Sequence, residues 1–298
     1  MVIKMSQDIF AVIGGDFRSV IVANQLAERG NRVKVCGFDD KEMFHAPVLY
    51  CNETKEALQE SNYIIFPLPC SVVGEQNIHT PLYNGVIPFA ELLPQISENS
   101  LVLGGMISDE IKSQLSAKGV SCADYFAREE FAVKNAIPTA EGAIEIALRE
   151  TPFTLHGASC LVTGYGRIAK MLAQRLRCFG ARVSVCARRV SDLAWIDAEG
   201  CNAVEMKRLQ ESIHTYDVIF NTVPHKILTD NLLLCVKQDC LIIDLASKPG
   251  GVDFDAAQKN GLNVIWALSL PGKCAPLTAG SIICDTIMNI IREREEDR

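Results

Sequence analysis

The 298-residue sequence predicts an α/β protein built of two doubly wound, parallel-sheet domains with a cleft between them. Three observations carry this. Short apolar runs alternate with helix-period stretches through both halves, a Gly-x-Gly-x-x-Ala turn (Gly164 to Ala169) follows the first strand of the second half, and 48% hydrophobic content over this length is enough for two cores.

Taken in order, residues 8–15 read as a strand, 17–30 as a helix with Val20, Ile21, Ala23, Leu26 and Ala27 on its apolar face, and 32–38 as a second strand. Helical signals at 57–60, 90–96 and 108–118 then alternate with strand signals at 63–68, 101–104 and 120–126. Such alternation calls for parallel pairing with crossover helices. A helix is expected over 138–149 with Pro138 at its start. The segment 138–151 therefore reads as a connector between an N-terminal substrate domain, 1–137, and a nucleotide-binding domain, 152–276. In the second half strands are expected at 159–163, 182–187, 202–204, 217–223, 240–245 and 263–267, punctuated by Gly200, Gly261 and the Pro249-Gly250-Gly251 turn. A last helix starts at Leu277, and the segment 277–298 is expected to pack back on the first domain.

Bulk properties exclude several classes. A net charge of −7 argues against a nucleic-acid partner. No apolar run approaches the ~18–20 residues that cross a bilayer, and Lys4 and Asp8 precede the first apolar stretch, so neither anchor nor signal peptide is expected. The twelve cysteines form no CxxC pair, and Cys36, Cys160, Cys186 and Cys240 lie inside strand-like runs, as reduced buried thiols do; a cytoplasmic setting follows. The five histidines show no metal-ligand spacing, and no metal site is expected. Cys274, beside Lys273, is a candidate for a lowered thiol pKa.

The glycine turn carries the chemistry. Gly164 permits the tight exit from the strand, Gly166 lets backbone amides approach a pyrophosphate, and Ala169 keeps the following helix, expected over 170–179, close to the sheet. A helix N-terminus there favours negative charge. The expected cofactor-binding set is Gly164, Tyr165, Gly166, Arg167 and Ile168 of the turn, with Asn221, Thr222 and Val223 after a later strand. The strand over 181–187 ends in Arg188-Arg189 where an NAD site carries an acid for the ribose hydroxyls. Two guanidiniums suit a 2′-phosphate, so the cofactor is read as NADP. In the first half the turn Gly14-Gly15-Asp16 lacks the spaced glycines and puts a carboxylate where a phosphate would sit. That half is assigned to substrate, with Arg18, Ser71 and Ser108 as candidate contacts. Other loops leaving strand ends offer His225 as a general base, Asp244 as a proton acceptor or nicotinamide-orienting group, and Lys248 and Lys273 as anion partners.

The segments PTAEGA (from Pro138), LVTGYGRIA (from Leu161), NTVP (from Asn221), DLASKPGGVDF (from Asp244) and LPGKCAPLTAG (from Leu270), with the GGD turn at Gly14, resemble the dipicolinate synthase A chain family along essentially the whole sequence. That resemblance implies NADP-dependent oxidation of dihydrodipicolinate, or its hydroxylated tetrahydro precursor, to pyridine-2,6-dicarboxylate in the cytoplasm of sporulating bacteria, together with a second, flavoprotein-like synthase subunit. It carries Gly164, Gly166 and Arg167 to the pyrophosphate, Arg188 and Arg189 to the 2′-phosphate, and Asn221 and Thr222 to the nicotinamide side. Two other readings stay open. One is a divergent 2-hydroxy-acid dehydrogenase, or the similarly planned S-adenosylhomocysteine hydrolase; the Arg and His expected of the former are replaced here by Ala246-Ser247-Lys248 and Leu270-Pro271-Gly272-Lys273. The other is a non-catalytic NADP-binding subunit of a flavin-dependent partner. A homodimer is expected from the habit of the fold.

Overall fold

The computed structural model describes residues 8–72, 74 and 76–296. Residues 1–7, on which the expectation of no signal peptide bears, and the last two positions of the expected final helix lie outside the described residues. The strands are β1 (Ile9–Ile13), β2 (Arg32–Cys36), β3 (Leu49–Tyr50), β4 (Tyr63–Ile65), β5 (Asn77–Ile78), β6 (Ile87–Pro88), β7 (Leu101–Gly104), β8 (Ser121–Asp124), β9 (Ser159–Thr163), β10 (Arg182–Ala187), β11 (Asn202–Glu205), β12 (Val218–Asn221), β13 (Leu241–Asp244) and β14 (Asn263–Trp266). The α-helices are α1 (Phe17–Glu28), α2 (Thr54–Leu58), α3 (Phe89–Leu92), α4 (Asp109–Ala117), α5 (Glu129–Glu150), α6 (Arg167–Cys178), α7 (Val190–Ala198), α8 (Leu209–Ser212), α9 (Asp230–Leu233), α10 (Phe254–Lys259), α11 (Leu270–Cys274) and α12 (Pro276–Glu296).

The chain divides into two compact units: Met1–Lys134 with Ala275–Arg298, and Asn135–Cys274. Each contains a six-stranded parallel sheet, ordered β3-β2-β1-β4-β7-β8 in the first and β11-β10-β9-β12-β13-β14 in the second. The reversal of direction beside β1 and beside β9 is the doubly wound pattern, and it leaves a switch point at the carboxyl ends of the central strands. Central strands such as IFAVI and LIID are buried almost throughout because helices cover both faces of a parallel sheet. In the first unit α1 and α12 lie on one face, through Val20, Leu26, Ile283 and Ile287, and α2, α3 and α4 on the other, through Leu58, Phe89 and Leu115. In the second, α5, α6 and α7 cover one face and α8, α9 and α10 the other.

Helix α12 meets α1 closely: a Cβ on Gly280 would lie 2.6 Å from Ile21 Cβ and 2.9 Å from the Arg18 carbonyl oxygen. Three readings of the sequence are corrected. The helix expected to start at Pro138 starts at Glu129 and carries Pro138 inside it. The ring removes one backbone hydrogen bond, yet the buried stripe Ala136, Ala140, Ala143, Ile144 and Ala147 continues across it. That stripe also makes most of α5 part of the second unit's core rather than a bare connector. The loop expected over 270–276 holds the short helix α11. The β5–β6 hairpin and the two-residue β3, unread in the sequence, complete the first unit.

Candidate dinucleotide site and the neighbouring loops

The turn after β9 is shaped for a phosphate. Gly164 has φ +91°, and a Cβ there would press to 2.8 Å from Thr222 Oγ1 and 2.9 Å from Val223 Cγ2, so only glycine fits without strain. Gly166 is the N-cap of α6 and offers no side-chain capping bond; a Cβ on it would meet nothing within 4 Å. The start of a twelve-residue helix thus opens on free space, as an anion-binding terminus requires. The helix begins at Arg167, three residues before the expected start. Exposed Arg167 and half-buried Ile168 form its first turn. Tyr165 contributes backbone only, because its ring packs against the second unit's core with the Lys170 ammonium 4.8 Å from its centroid. Burial, and then neighbouring Glu199, push its phenol well above the ordinary tyrosine range.

At the end of β10 the two arginines separate. Arg189 is the N-cap residue of α7 and donates from Nε to Asp192 Oδ2 at 2.9 Å. Arg188 is exposed and makes no ion pair among the described residues. One guanidinium is therefore available to an added phosphate, and the other is shared with an acid that the sequence reading did not single out. Its signal is the i,i+3 spacing from Arg189.

The carboxyl ends of β9, β12 and β13 lie side by side, with Thr163 opposite Asn221 and Asn221 opposite Asp244. All three side chains are fully buried. Thr163 Oγ1 donates to Asn221 Oδ1 at 2.6 Å, and Asn221 Nδ2 donates to Asp244 Oδ1 at 2.7 Å. Asp244 also accepts from Ala246 N at 3.0 Å and from Gly251 N at 2.8 Å. The loop 245–251 is held from its other side by Trp266 Nε1, which donates to the Ala246 carbonyl at 2.9 Å. Gly250 and Gly251 are obligatory in it: a Cβ would fall 2.9 Å from Asp244 Oδ2 and 2.1 Å from Asn221 Nδ2, respectively. These contacts correct two expectations. Asp244 is not placed to take a proton from a ligand, because it is enclosed and both its oxygens are engaged. Asn221 likewise spends its amide on Asp244 and on the Val223 backbone. Thr222 Oγ1 donates to the Thr163 carbonyl, which leaves half-buried Val223 to present its side chain at the turn.

Lys248 stands on the exposed crest of that braced loop, and Lys273 is exposed on α11, after the adjacent strand β14. Neither forms an ion pair among the described residues. His225 is exposed in a bend before α9, with no hydrogen-bond partner among the described residues to orient its ring. Cys274 departs from expectation: burial, followed by Glu145 and Glu141, pushes its thiol up despite the neighbouring Lys273, and its Sγ faces the Leu270 carbonyl at 2.8 Å.

In the first unit the corresponding turn is closed. A Cβ on Gly14 would lie 2.5 Å from Thr80 Cγ2, and one on Gly15 2.0 Å from Ser19 Oγ. Asp16 caps α1 by accepting from Arg18 N at 3.0 Å. The same carboxylate pairs with the Arg18 guanidinium at 2.7 Å, and that guanidinium also donates to the Leu68 carbonyl. Arg18 is thus committed internally rather than free for a substrate carboxylate. Ser108 is spent as the N-cap of α4, accepting from Ile111 N, and Asp109 and Glu110 make that helix start unfavourable for an anion. Ser71 is buried in a bridge to Ile78. Asp124, unread in the sequence, accepts from Met106 N and Ile107 N at 3.0 Å each and orders the turn after β7.

Comparison with known proteins gives a separate family match in each half of the chain. Residues 9–126 match the model of the N-terminal domain of the dipicolinate synthase A chain, and residues 136–246 that of the D-isomer specific 2-hydroxyacid dehydrogenase NAD binding domain. The second unit is accordingly an NAD-binding domain of dehydrogenase type. The sequence is similar to that of the dipicolinate synthase A chain of Bacillus subtilis (strain 168), at 31% identity over 284 residues and 95% of each protein. Among solved structures it is similar to the dipicolinate synthase A chain from Bacillus subtilis, with TM-score 0.88, 30% identity and 99% of each chain covered. It is similar also to the dipicolinate synthase A chain from Bacillus halodurans, with TM-score 0.89, 29% identity, and 96% of this chain and 98% of that one covered. A transhydrogenase from Sinorhizobium meliloti shares the fold at 15% identity, TM-score 0.72, over 96% of this chain and 93% of that one.

Proposed function

This protein belongs to the dipicolinate synthase A chain family, and from that premise we propose that it is an NADP-dependent oxidoreductase converting dihydrodipicolinate, or its hydroxylated tetrahydro precursor, to pyridine-2,6-dicarboxylate. It would act in the cytoplasm of sporulating cells beside a second, flavoprotein-like synthase subunit. The observation that carries the cofactor assignment is the open, uncapped start of α6 at Gly166 together with exposed Arg188 after β10, which forms no ion pair among the described residues. Backbone amides around Gly164 and Gly166 would hold the pyrophosphate, and Arg188 the 2′-phosphate.

When bound, the nicotinamide supplies the hydride acceptor. Oxidising a dihydropyridine removes a hydride and a proton and leaves an aromatic ring, so the step is strongly downhill and depends mainly on positioning. Lys248, on a loop fixed by Asp244, Asn221 and Trp266, and Lys273, on α11, are the cations proposed to hold the substrate carboxylates. Replacing both by alanine should raise the substrate KM at least tenfold, as losing charge-assisted hydrogen bonds of about 1.5–3 kcal/mol requires; unaltered kinetics would remove them from the site.

A second reading has an observation of its own. His225 is unoriented and Asp244 enclosed, so the described residues offer no braced acid–base pair of those expected, as a cofactor-binding partner of a flavin enzyme would also show. One assay separates the two. The purified chain, with and without the flavoprotein-like partner, is mixed with freshly generated dihydrodipicolinate and NADP⁺ while product and NADPH are followed together. Equal yields of both support the dehydrogenase. Dipicolinate that forms only with the partner, and without NADPH, would move the redox step to the flavin.

A further inference from the structure

Asp244 is a carboxylate that the proposed chemistry leaves without a direct role, yet it is the most enclosed charge in the second unit. It is 0% exposed, and three N–H donors face its two oxygens, from Asn221 Nδ2, Ala246 and Gly251. No cation pairs with it among the described residues. Its surroundings are donors alone, and those donors are dipoles that bring no compensating charge. Lys248 is the nearest cation along the chain. It lies four residues on, at the exposed crest of the loop, where water screens it.

The position of this charge gives it a consequence. Asp244 ends β13, second from the switch point of the sheet, on the side away from β10 and Arg188. In this strand order a dinucleotide with its pyrophosphate at the β9–α6 turn and its adenosine ribose at the end of β10 extends its redox ring over the ends of β12 and β13. The oxidised ring is a pyridinium cation and the reduced ring is neutral, so a fixed buried anion on that side attracts one form only.

Resting on the dinucleotide reading above, we infer that Asp244, held by Thr163 and Asn221, is an electrostatic residue that makes the chain bind the oxidised nicotinamide cofactor more tightly than the reduced one. The bias costs little in the forward reaction, since aromatisation supplies the drive, and it speeds discharge of the reduced cofactor. The effect belongs to binding and is read there, without turnover. It is distinct from the loop-bracing role, which weakens or strengthens both redox forms alike.

The test titrates the full chain and its Asp244→Asn variant with NADP⁺ by calorimetry and with NADPH by fluorescence, and repeats both with the NAD⁺/NADH pair. Asp244→Asn should lower the ratio of reduced-form to oxidised-form Kd about tenfold, which is about 30 mV for a two-electron couple. Because the ratio cancels the 2′-phosphate, it is independent of which pair the chain prefers. Thr163→Val loosens the brace and keeps the charge, so it should change both affinities by one factor. Should Asp244→Asn not fold, the unaltered chain decides, since with both pairs its reduced-form Kd should be about tenfold its oxidised-form Kd. Equal weakening of both forms by Asp244→Asn, a shifted ratio in Thr163→Val, or equal Kd values for the two redox forms in the unaltered chain would each overturn the inference. Failure of the unaltered chain to bind either pair would instead sink the dinucleotide reading beneath it, and this inference with it.

Discussion

Arg188 and Arg189 are adjacent and chemically identical, yet the structure gives them different work. Arg189 closes on Asp192 across one helical turn, while Arg188 keeps its five donors available. A charge-assisted hydrogen bond to phosphate contributes about 1.5–3 kcal/mol, so Arg188→Ala should raise the Kd for NADP⁺ roughly tenfold to a hundredfold and leave that for NAD⁺ nearly unchanged. Arg189→Ala should do much less, and Asp192→Asn, by releasing Arg189, should tighten NADP⁺. Equal losses for the two arginines in a calorimetric titration would contradict this division. At this scale the sequence discloses what is local. Gly164 and Gly166 are legible because the tight turn between β9 and α6 fixes their spacing, and Arg188 as an exposed cation because it follows a strand directly. Asp244 is legible as a strand end and illegible as a brace, because its partners Asn221, Ala246 and Gly251 come together only across two strand ends and a loop. Arg18 misleads for the same reason: nothing in the run Asp16-Phe17-Arg18 shows that the acid and the guanidinium will consume each other.

Among elements, the start of the second sheet has an electrostatic tie of its own. Asp217 sits at the entry to β12, accepts from Ser159 N at the entry to β9 at 2.6 Å, and pairs with Lys237. Burial pushes its carboxyl up, but the Lys237 ammonium and the Ser159 amide together outweigh that and hold it below the ordinary aspartate value. A group with a depressed folded-state pKa stabilises the fold above its unfolded value, near ~3.9, and loses that contribution as pH falls through the folded value. Asp217→Asn should therefore lower Tm at neutral pH and flatten the fall in Tm below about pH 4, as thermal melts from about pH 3 to 7 would show. An unchanged acid limb would mean that the pair is screened away. Long apolar elements such as β9, β12 and α1 are legible in the sequence because their burial pattern repeats over several residues. The β5–β6 hairpin is not, since two residues per strand give no periodicity to read. Helix α5 is misread at Pro138 because tertiary burial on its apolar stripe overrides the local breaker.

Across the whole molecule the two units repeat one strand order and differ at one turn. At Gly166 the helix start is open and uncapped; at Gly15 it is filled by Ser19 and capped by Asp16. Dinucleotide titration should accordingly saturate at one equivalent per chain. The first unit differs in a second way, since it is completed by residues from the far end of the sequence. Ile282, Ile283, Cys284, Ile287, Ile290 and Ile291 of α12 are all buried in the core that holds Val20, Leu26 and Val33. Burying aliphatic side chains contributes roughly 1.5–3 kcal/mol each, so the five isoleucines together supply on the order of 10 kcal/mol, as much as the net stability of an ordinary domain, about 5–15 kcal/mol. A chain ending at Cys274 should therefore fail to form its first unit, while the second retains all its strands and the brace at Asp244. Amide hydrogen exchange on that truncated chain provides the check: protection should vanish in β1, β2 and β4 and persist in β9, β12 and β13. Persistent protection of β1 would mean that α12 only covers a core that stands without it, and the first unit would then be continuous in folding, if not in structure.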